Sequence, residues 1–338
     1  MWLPPPLPRT LEACLRDAKS EKPKVRASAL ADLVRHGREE AHRAQAVSVA
    51  TRALEDDDAI VRAAAAVALA DLGASESIAP LLTHVEHDDP HVREMALVAL
   101  GEIGDRRALP RLRRALGDTR PEVRYQAVIA FARVEKDDDE DAARALVRAS
   151  EDEDMNVRYV ALRSAEERFA DAQPEPVRAA AARRLDDPEP DVANAAAILL
   201  ARGGDARGER RVLAIVRGDQ RATKEDERGA IEVAGDRAYE AARAPLQKRA
   251  WGLGRVLRDT CAWHAKVALA RMGDERAVAE IVRDLVSTDK DARQAAVVAV
   301  GRARIATARA AVEAARDVDE DLRREALRAL TLTTGRGA

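Results

Sequence analysis

Apolar residues recur along the chain at the three- and four-residue spacing of helices that each bury one face. The clearest example is residues 88–117. An Asp-Asp-Pro turn opens this stretch, and apolar residues then follow one helical face over residues 92–103. A Gly-Asp pair ends that helix, and a second apolar face follows over residues 108–116. The pattern predicts a helical hairpin. Because neither helix can cover its own apolar stripe, the hairpin must stack on copies of itself.

Copies of this hairpin extend over the rest of the chain. We take Val92 as the reference position, the anchor, and find equivalent residues at intervals of 30 to 38 residues. The ten anchors are Val25, Val61, Val92, Val123, Val157, Val192, Thr223, Cys261, Ala292 and Leu322. The sequence therefore predicts an all-α fold, an α-α superhelix or solenoid of about ten helical hairpins.

A row of alanines supports this register. The fourth residue after the anchor is alanine in every repeat except the seventh, which has Glu227, and the eighth is usually leucine. A small residue at a fixed helical position lets neighbouring helices approach closely, and the leucine fills the space beside it. Burying Glu227 without a partner would be costly, so we expect either a displaced helix or a paired carboxylate in the seventh repeat.

The predicted domain organisation has two parts. Residues 1–21 form a proline-rich N-terminal segment and a capping helix, and residues 22–338 form the repeat solenoid. An irregular repeat is expected at about residues 219–260, where a polar helix start is followed by the longest interval between anchors. The pattern is typical of a hinge or a change in curvature, and a binding site there is the alternative.

Composition narrows the class of function. Of the 338 residues 46% are hydrophobic but only 2% aromatic, so alanine, leucine and valine must build the interior. Charged residues make up 35% with a net charge of −3, which gives no overall bias toward nucleic acid. Cys14 and Cys261 lie too far apart in a repeat array to pair, which favours a reducing cytoplasm. We find no apolar run of membrane-spanning length and no signal peptide, and predict a cytoplasmic protein.

The motif of residues 92–105 resembles HEAT repeats. It has a Val-Arg pair, spaced alanines, an Ala-Leu-Gly step and a Gly-Asp stop. The resemblance covers residues 22–338 and is strongest to the short HEAT-like repeats of phycobilisome lyases. It implies that the helix beginning with Val-Arg lines the concave face of a superhelix and that the second helix lines the convex face. It implies little about function.

A pattern of charges follows the repeats. Arginine directly follows the anchor in seven repeats, and aspartate lies five residues before the anchor in five. The resemblance to HEAT proteins implies a structural ladder, in which aspartates cap helices and bond to arginines between repeats. The functional alternative is a charged ridge for a partner, although alternating signs argue against a uniform phosphate-binding stripe. The residues are Arg26, Arg62, Arg93, Arg124, Arg158, Arg293, Arg323 and Asp56, Asp118, Asp152, Asp187, Asp317.

The second residue after the anchor is expected to face the concave groove. Three of the eight aromatic residues share this position, and Tyr125 and Tyr159 belong to adjacent repeats. Exposed aromatic side chains at the centre of a groove are typical of protein-binding hot spots, so we predict that a partner protein binds there. Packing against neighbouring helices is the alternative. The predicted partner-binding residues are Tyr125, Tyr159, Trp263, Trp251, Glu94 and Asn194.

Signals for chemistry are weak. His84, His87 and His91 cluster near one turn, but the acidic residues between them already serve as turn and cap, so surface histidines are expected rather than a zinc site. We find no Gly-rich phosphate loop and no serine or cysteine with a recognisable base partner. The sequence therefore predicts no enzymatic activity, no cofactor and no metal.

The function predicted from these observations is a non-enzymatic scaffold or adaptor, monomeric by itself, that binds one or more proteins in the groove. HEAT solenoids commonly hold small GTPases, peptides or helical proteins, so a regulator of a small GTPase or of a signalling complex is one version. The first alternative is a lyase or chaperone-like protein for a tetrapyrrole or other cofactor, by resemblance to the lyase repeats. The second is nucleic-acid binding, against which the mixed charges argue.

Overall fold

A computed structural model describes residues 8–86, 89–170, 172–252 and 260–334. Within these ranges the chain forms α-helices joined by turns and short 3-10 segments, and it contains no β-strand. None of the helices in the described part is long and apolar enough to cross a membrane. The all-α repeat fold that the hydrophobic pattern predicts is confirmed. The chain divides into two compact units.

Unit 1 comprises the residues up to Phe169 together with Pro174–Ala180. Its helices are α1 (Leu11–Asp17), α2 (Pro23–Gly37), α3 (Glu40–Ala53), α4 (Ala59–Asp71), α5 (Ile78–His84), α6 (Pro90–Ile103), α7 (Leu109–Ala115), α8 (Pro121–Val134), α9 (Asp139–Ala149) and α10 (Met155–Arg168). After the lone helix α1, the even-numbered helices are the first helices of successive repeats. Each of them packs against the next in the order α2, α4, α6, α8 and α10.

Unit 2 comprises Ala170–Gln173 and Ala181–Ala338, so the residues of α11 (Glu175–Arg183) are divided between the two units. The helices that follow are α12 (Pro190–Arg202), α13 (Ala206–Arg217), α14 (Lys224–Asp236), α15 (Arg243–Trp251), α16 (Ala262–Arg271), α17 (Glu275–Asp284), α18 (Lys290–Ala303), α19 (Arg309–Ala314) and α20 (Glu320–Thr334). The first helices α12, α14, α16, α18 and α20 again pack in sequence. The two units together contain one first helix for each of the ten predicted repeats.

The first helices begin where local chemistry favours it. The Asp89 carboxylate caps α6 by accepting hydrogen bonds from the backbone N–H groups of His91 and Val92, at 2.9 and 3.3 Å. Proline fills the first position of α6, α8 and α12, where its missing N–H costs nothing. The helix α6 ends at Gly104, whose φ of 72° is easily adopted only by glycine.

The alanine row forms the centre of each layer. In the nine repeats where alanine was predicted at this position, it is at most 4% exposed. Contacts between first helices are correspondingly close: a Cβ atom added to Gly101 of α6 would lie 3.0 Å from the Cα atom of Ala130 in α8. Small residues therefore set the separation of the helices, and buried leucines such as Leu69 and Leu100 fill the space around them.

The arginines and aspartates of the repeats form ion pairs between neighbouring repeats. Arg124 of α8 makes two hydrogen bonds to the Asp152 carboxylate, both 2.7 Å long. Its third nitrogen, Nη1, donates to the backbone carbonyl of Asp118 at 2.9 Å, in the turn before its own helix. Arg26 and Arg93 pair in the same bidentate way with the aspartates that precede the following repeats, Asp56 and Asp118. In these repeats the pattern has the structural role that the sequence predicts.

The seventh repeat fits the pattern of the other repeats if Asp226, and not Thr223, is taken as its anchor. The Thr223 hydroxyl caps α14, accepting from the Asp226 N–H at 3.0 Å. The anchors Val92 and Val157 likewise lie three residues after their caps. Ala230, four residues after Asp226, is fully buried and takes the expected place in the alanine row. The predicted register is therefore wrong by three residues here, because a buried aspartate replaces the usual apolar anchor.

Glu227, which the predicted register placed in the core, is paired. One of its carboxylate oxygens lies 2.8 Å from Lys224 Nζ, and the other lies 3.7 Å from Arg249. The corrected anchors of repeats six to eight are spaced by 34 and 35 residues, so the long interval disappears. Residues 253–259 lie outside the described residues, and the hinge expected in this region stays a prediction.

The lone helix α1 packs on α2, and its role as a cap of the repeats stays a prediction. Cys14 in this helix is fully buried, and burial raises the pKa of its thiol. Arg9 holds the preceding turn in place through Asp17, at 3.1 Å, and through Asp32. The prolines at residues 4–6 lie outside the described residues. Cys261 is buried as well, and both cysteines are free.

Candidate functional site

Tyr125 and Glu94, two of the predicted binding residues, meet at one depression in unit 1. Its volume is about 310 Å³, and it is formed by α6, α8 and the start of α10. The Tyr125 side chain is half-buried, so one part packs on the helices and the rest faces the depression. We call this concavity the Tyr125 depression. It is lined by Glu94, Pro121, Glu122, Tyr125, Gln126, Asp154 and Asn156.

The Tyr125 depression is acidic. Three carboxylates, those of Glu94, Glu122 and Asp154, line it, and no lysine or arginine of the described chain is among the lining residues. The basic groups beside these carboxylates are at its margin: His91 Nδ1 lies 3.7 Å from Glu94, and Arg120 Nε lies 3.5 Å from Glu122. An aromatic face with carboxylates around it favours a cationic side chain.

Tyr159 occupies the equivalent position one repeat further on, in α10, and is also half-buried. It does not belong to the lining of the Tyr125 depression. The structure therefore brings Tyr125 and Glu94 to one concavity and leaves Tyr159 on the next first helix of the same row.

Trp263, in α16 of unit 2, lies at a different kind of depression. This one has a volume of about 250 Å³ and adjoins a second of about 440 Å³, with which it shares Arg202, Asp236 and Arg271. We call the two together the arginine pocket, after the arginines that line them. Its charged and aromatic lining residues are Arg202, Glu232, Asp236, Arg237, Trp263, His264, Arg271, Arg302 and Arg304.

Two carboxylates form ion pairs with three of these arginines. Glu232 lies between Arg202 and Arg302, at 3.8 and 3.5 Å. Asp236 lies between Arg202, at 3.6 Å, and Arg271. The guanidinium carbon of Arg302 is also 5.7 Å from the centre of the nearby indole ring, within the range of a cation–π interaction.

Sequence reasoning missed the arginine pocket, although a signal was present. Arg202, Arg271 and Arg302 each lie ten residues after the anchor of their repeat, and Asp236 has the same position in repeat seven. The incorrect anchor at Thr223 removed Asp236 from this row. With Asp226 as anchor, the four residues align on successive first helices.

The side chains of Asn194 and Trp251 form hydrogen bonds within the fold. Asn194 is fully buried; its amide donates to the Arg221 carbonyl at 3.0 Å, and its oxygen accepts from Arg211 at 2.8 Å. Because it lies in the interior, Asn194 offers no contact surface, in contrast to the prediction that it faces a groove. The Trp251 indole, on the second helix α15, donates to Glu280 at 3.1 Å.

The Glu280 carboxylate, beside Trp251, accepts hydrogen bonds from three side chains. Burial raises the pKa of its carboxyl, but hydrogen bonds from Lys266, Trp251 and Arg276 outweigh this effect and lower it to about 2. Arg276 also lies over the Trp251 ring, 4.1 Å from its centre. These contacts fix the indole against α17, and Trp251 is not among the residues that line the arginine pocket.

The two described histidines near the third repeat differ in their exposure to solvent. His84 is 5% exposed and lies 3.6 Å from Glu55, whereas His91 is exposed at the start of α6. His87 lies outside the described residues. In the part of the chain that the structure describes, no group of three or more His, Cys, Asp or Glu side chains could hold a metal ion.

Comparison with known proteins identifies the repeats. The family model for HEAT repeats matches residues 8–90 and 78–166. No curated protein matches the sequence. Among solved structures, the CpcE–CpcF complex of phycocyanin lyase from Nostoc sp. PCC7120 is 20% identical with a TM-score of 0.45, over 72% of this chain and 94% of that one.

Two further similar structures are artificial proteins. An engineered protein is 18% identical with a TM-score of 0.43, over 97% of this chain and 99% of its own. A designed armadillo repeat protein is 20% identical with a TM-score of 0.42, over 57% of this chain and 100% of its own.

Proposed function

Residues 8–166 match the family model for HEAT repeats, and on that premise we propose that this chain is a non-enzymatic scaffold that binds a partner protein over Tyr125 and Tyr159. The observation that carries the proposal is the Tyr125 depression, in which a half-buried aromatic ring lies in a concavity on the row of first helices. Aromatic side chains in such positions contribute much of the binding energy of protein interfaces.

The charge of the depression defines the partner's chemistry. Because Glu94, Glu122 and Asp154 line it, the matching surface of the partner should carry lysine or arginine side chains. A basic side chain could place its charge among the carboxylates and its aliphatic stem on the Tyr125 ring. Regulation of a small GTPase stays a prediction within this proposal.

The test is quantitative affinity purification with the tagged full chain and an extract of its source cells. The variant Tyr125→Ala with Tyr159→Ala should recover the partner less well by roughly tenfold or more, because hot-spot residues each contribute about 2 kcal/mol or more. Both rings are half-buried, so circular dichroism should first establish that the variant is folded.

A matched control removes exposed apolar side chains elsewhere. Ile60 and Val286 are 50% and 80% exposed and lie outside the Tyr125 depression. The variant Ile60→Ala with Val286→Ala should recover the partner as the unchanged chain does. A set of recovered proteins that is the same for all three chains would show that the two tyrosines do not form the binding surface.

A further inference from the structure

The arginine pocket carries more positive charge than its own carboxylates neutralise. Five arginines line it together with two carboxylates, those of Glu232 and Asp236. The imidazole of His264 adds no charge at neutral pH, because burial lowers its pKa. Arg237 and Arg304 are exposed and form no ion pair with any residue that the structure describes. The described lining therefore has an excess of three positive charges.

The positions of the arginines explain why this excess matters. Arg202, Arg271 and Arg302, on α12, α16 and α18, are held by the two carboxylates of α14. Arg237 and Arg304 follow the ends of α14 and α18. The guanidinium groups of the first three arginines are thus held in ion pairs. Those of Arg237 and Arg304 are exposed beside them. The three paired groups contribute positive potential, and the two exposed groups keep their N–H donors available to the carboxylates of a ligand.

Arg271 is buried among these positive charges. Burial, followed by the positive charges of Arg304, Arg202 and Arg302, lowers its pKa to about 10, although Glu232 acts in the opposite direction. Like charges are thus crowded here at a cost, and an anion bound among them would relieve it.

We propose that the arginine pocket docks an acidic segment of a partner protein, whose carboxylates bind Arg237 and Arg304 while an apolar side chain packs on Trp263. This inference rests on the proposed function only in taking the ligand to be a protein, since it concerns a surface of unit 2. Arginine matches carboxylates with two parallel hydrogen bonds, which gives both strength and orientation. The half-buried indole of Trp263 supplies the apolar wall that a peptide side chain needs.

The lining favours a peptide over a nucleic acid. A phosphate backbone binds to a continuous track of unneutralised cations. Here Glu232 and Asp236 lie among the arginines, and the uncompensated charge is confined to one pocket. A short acidic segment needs only this local excess.

The test measures binding of a fluorescently labelled peptide of glutamate and aspartate residues with one central phenylalanine to the full chain, by fluorescence anisotropy. Binding should weaken as salt is raised. The variant Arg237→Gln with Arg304→Gln keeps two of the three methylene groups of each stem and removes both charges. It should weaken binding by roughly tenfold or more, because hydrogen bonds to charged groups are the strong ones.

A control with the same change in net charge separates docking from long-range attraction. Arg210 and Arg283 are exposed arginines of α13 and α17, outside the pocket. The variant Arg210→Gln with Arg283→Gln should bind the peptide within about twofold of the unchanged chain. Equal weakening by both double variants would overturn the proposal, as would failure of the unchanged chain to bind the peptide.

Two further measurements complete the test. Peptide binding should change the tryptophan fluorescence of the unchanged chain, and Trp263→Phe should abolish that change. A single-stranded RNA oligonucleotide should bind more weakly than the peptide at physiological salt, and the reverse order would overturn the proposal. The variant Tyr125→Ala with Tyr159→Ala should bind the acidic peptide normally, so failure of this site and failure of the Tyr125 surface can be told apart.

Discussion

At the scale of single residues, Arg124 shows how an arginine of the ladder joins two repeats through one side chain. Arg124 spans the turn before its own helix and the carboxylate of Asp152 before the next. The two side chains are 9% and 12% exposed, so the pair is only weakly screened by water. Removing one member leaves the other charge buried without its partner, which costs more than the pair itself contributes.

This arrangement predicts a pH-dependent loss of stability on substitution. Burial raises the pKa of Asp152, but hydrogen bonds from Arg124 and from the Asp154 N–H outweigh it and hold the pKa below its usual value. Asp152→Asn should therefore lower the free energy of unfolding at neutral pH by about 1–3 kcal/mol. A carboxyl with a lowered pKa stabilises the fold above its unfolded pKa of about 4, and this contribution is lost as pH falls through the folded pKa.

Urea unfolding at about pH 7 and about pH 3 measures the effect. The difference between Asp152→Asn and the unchanged chain should shrink at the lower pH, because protonation of Asp152 makes its side chain neutral, as that of asparagine always is. Asp71 is exposed at the end of α4, and Asp71→Asn should change stability by less than about 0.5 kcal/mol. A difference for Asp152→Asn that is independent of pH would contradict the role given to its charge.

At the scale of helices, the register of α14 decides which residue faces the core. The structure buries Ala230 completely and leaves Glu227 half-buried in ion pairs, whereas the sequence pattern assigned the core position to Glu227. Ala230→Leu should therefore destabilise the chain by about 1–3 kcal/mol, since a close-packed layer has no room for a larger side chain.

Thermal unfolding followed by circular dichroism would measure this difference. Ala244, in the first turn of α15, is exposed, and Ala244→Leu provides a control that adds the same atoms outside the core. If Ala230→Leu unfolds at the temperature of the control, the register of α14 given by the structure is wrong.

The same helix shows what the sequence can and cannot specify. The hairpins were predictable because the alanine row must be buried in every layer, and one helix face repeats the same spacing. The anchor of repeat seven was not predictable, because Asp226 is buried at a position where the pattern expects an apolar residue. The candidate sites divide in the same way: Tyr125 stands out as a rare aromatic, whereas Arg202, Arg271 and Arg302 look like ordinary surface charges until the helices are aligned.

At the scale of the whole molecule, the packing of first helices in sequence gives each repeat contacts mainly with its neighbours. In such an array, stability is the sum of repeat and neighbour contributions, and a local defect need not spread through the entire chain. Phe131, which takes the leucine position in α8, is fully buried. Phe131→Ala should remove about 3–5 kcal/mol from the layer that contains it.

Hydrogen exchange measured by mass spectrometry can show which helices lose stability in this variant. Amides of α8 and of its contact partners α6, α7, α9 and α10 should exchange faster in Phe131→Ala, because these helices share the layer. Helices α18 and α20 of unit 2 pack on each other and should keep their protection. Val300→Ala, which removes a fully buried side chain from α18, should give the reciprocal pattern. Faster exchange throughout the chain in either variant would mean that the repeats unfold as a single cooperative body, since only then does a cavity in one layer weaken all the others.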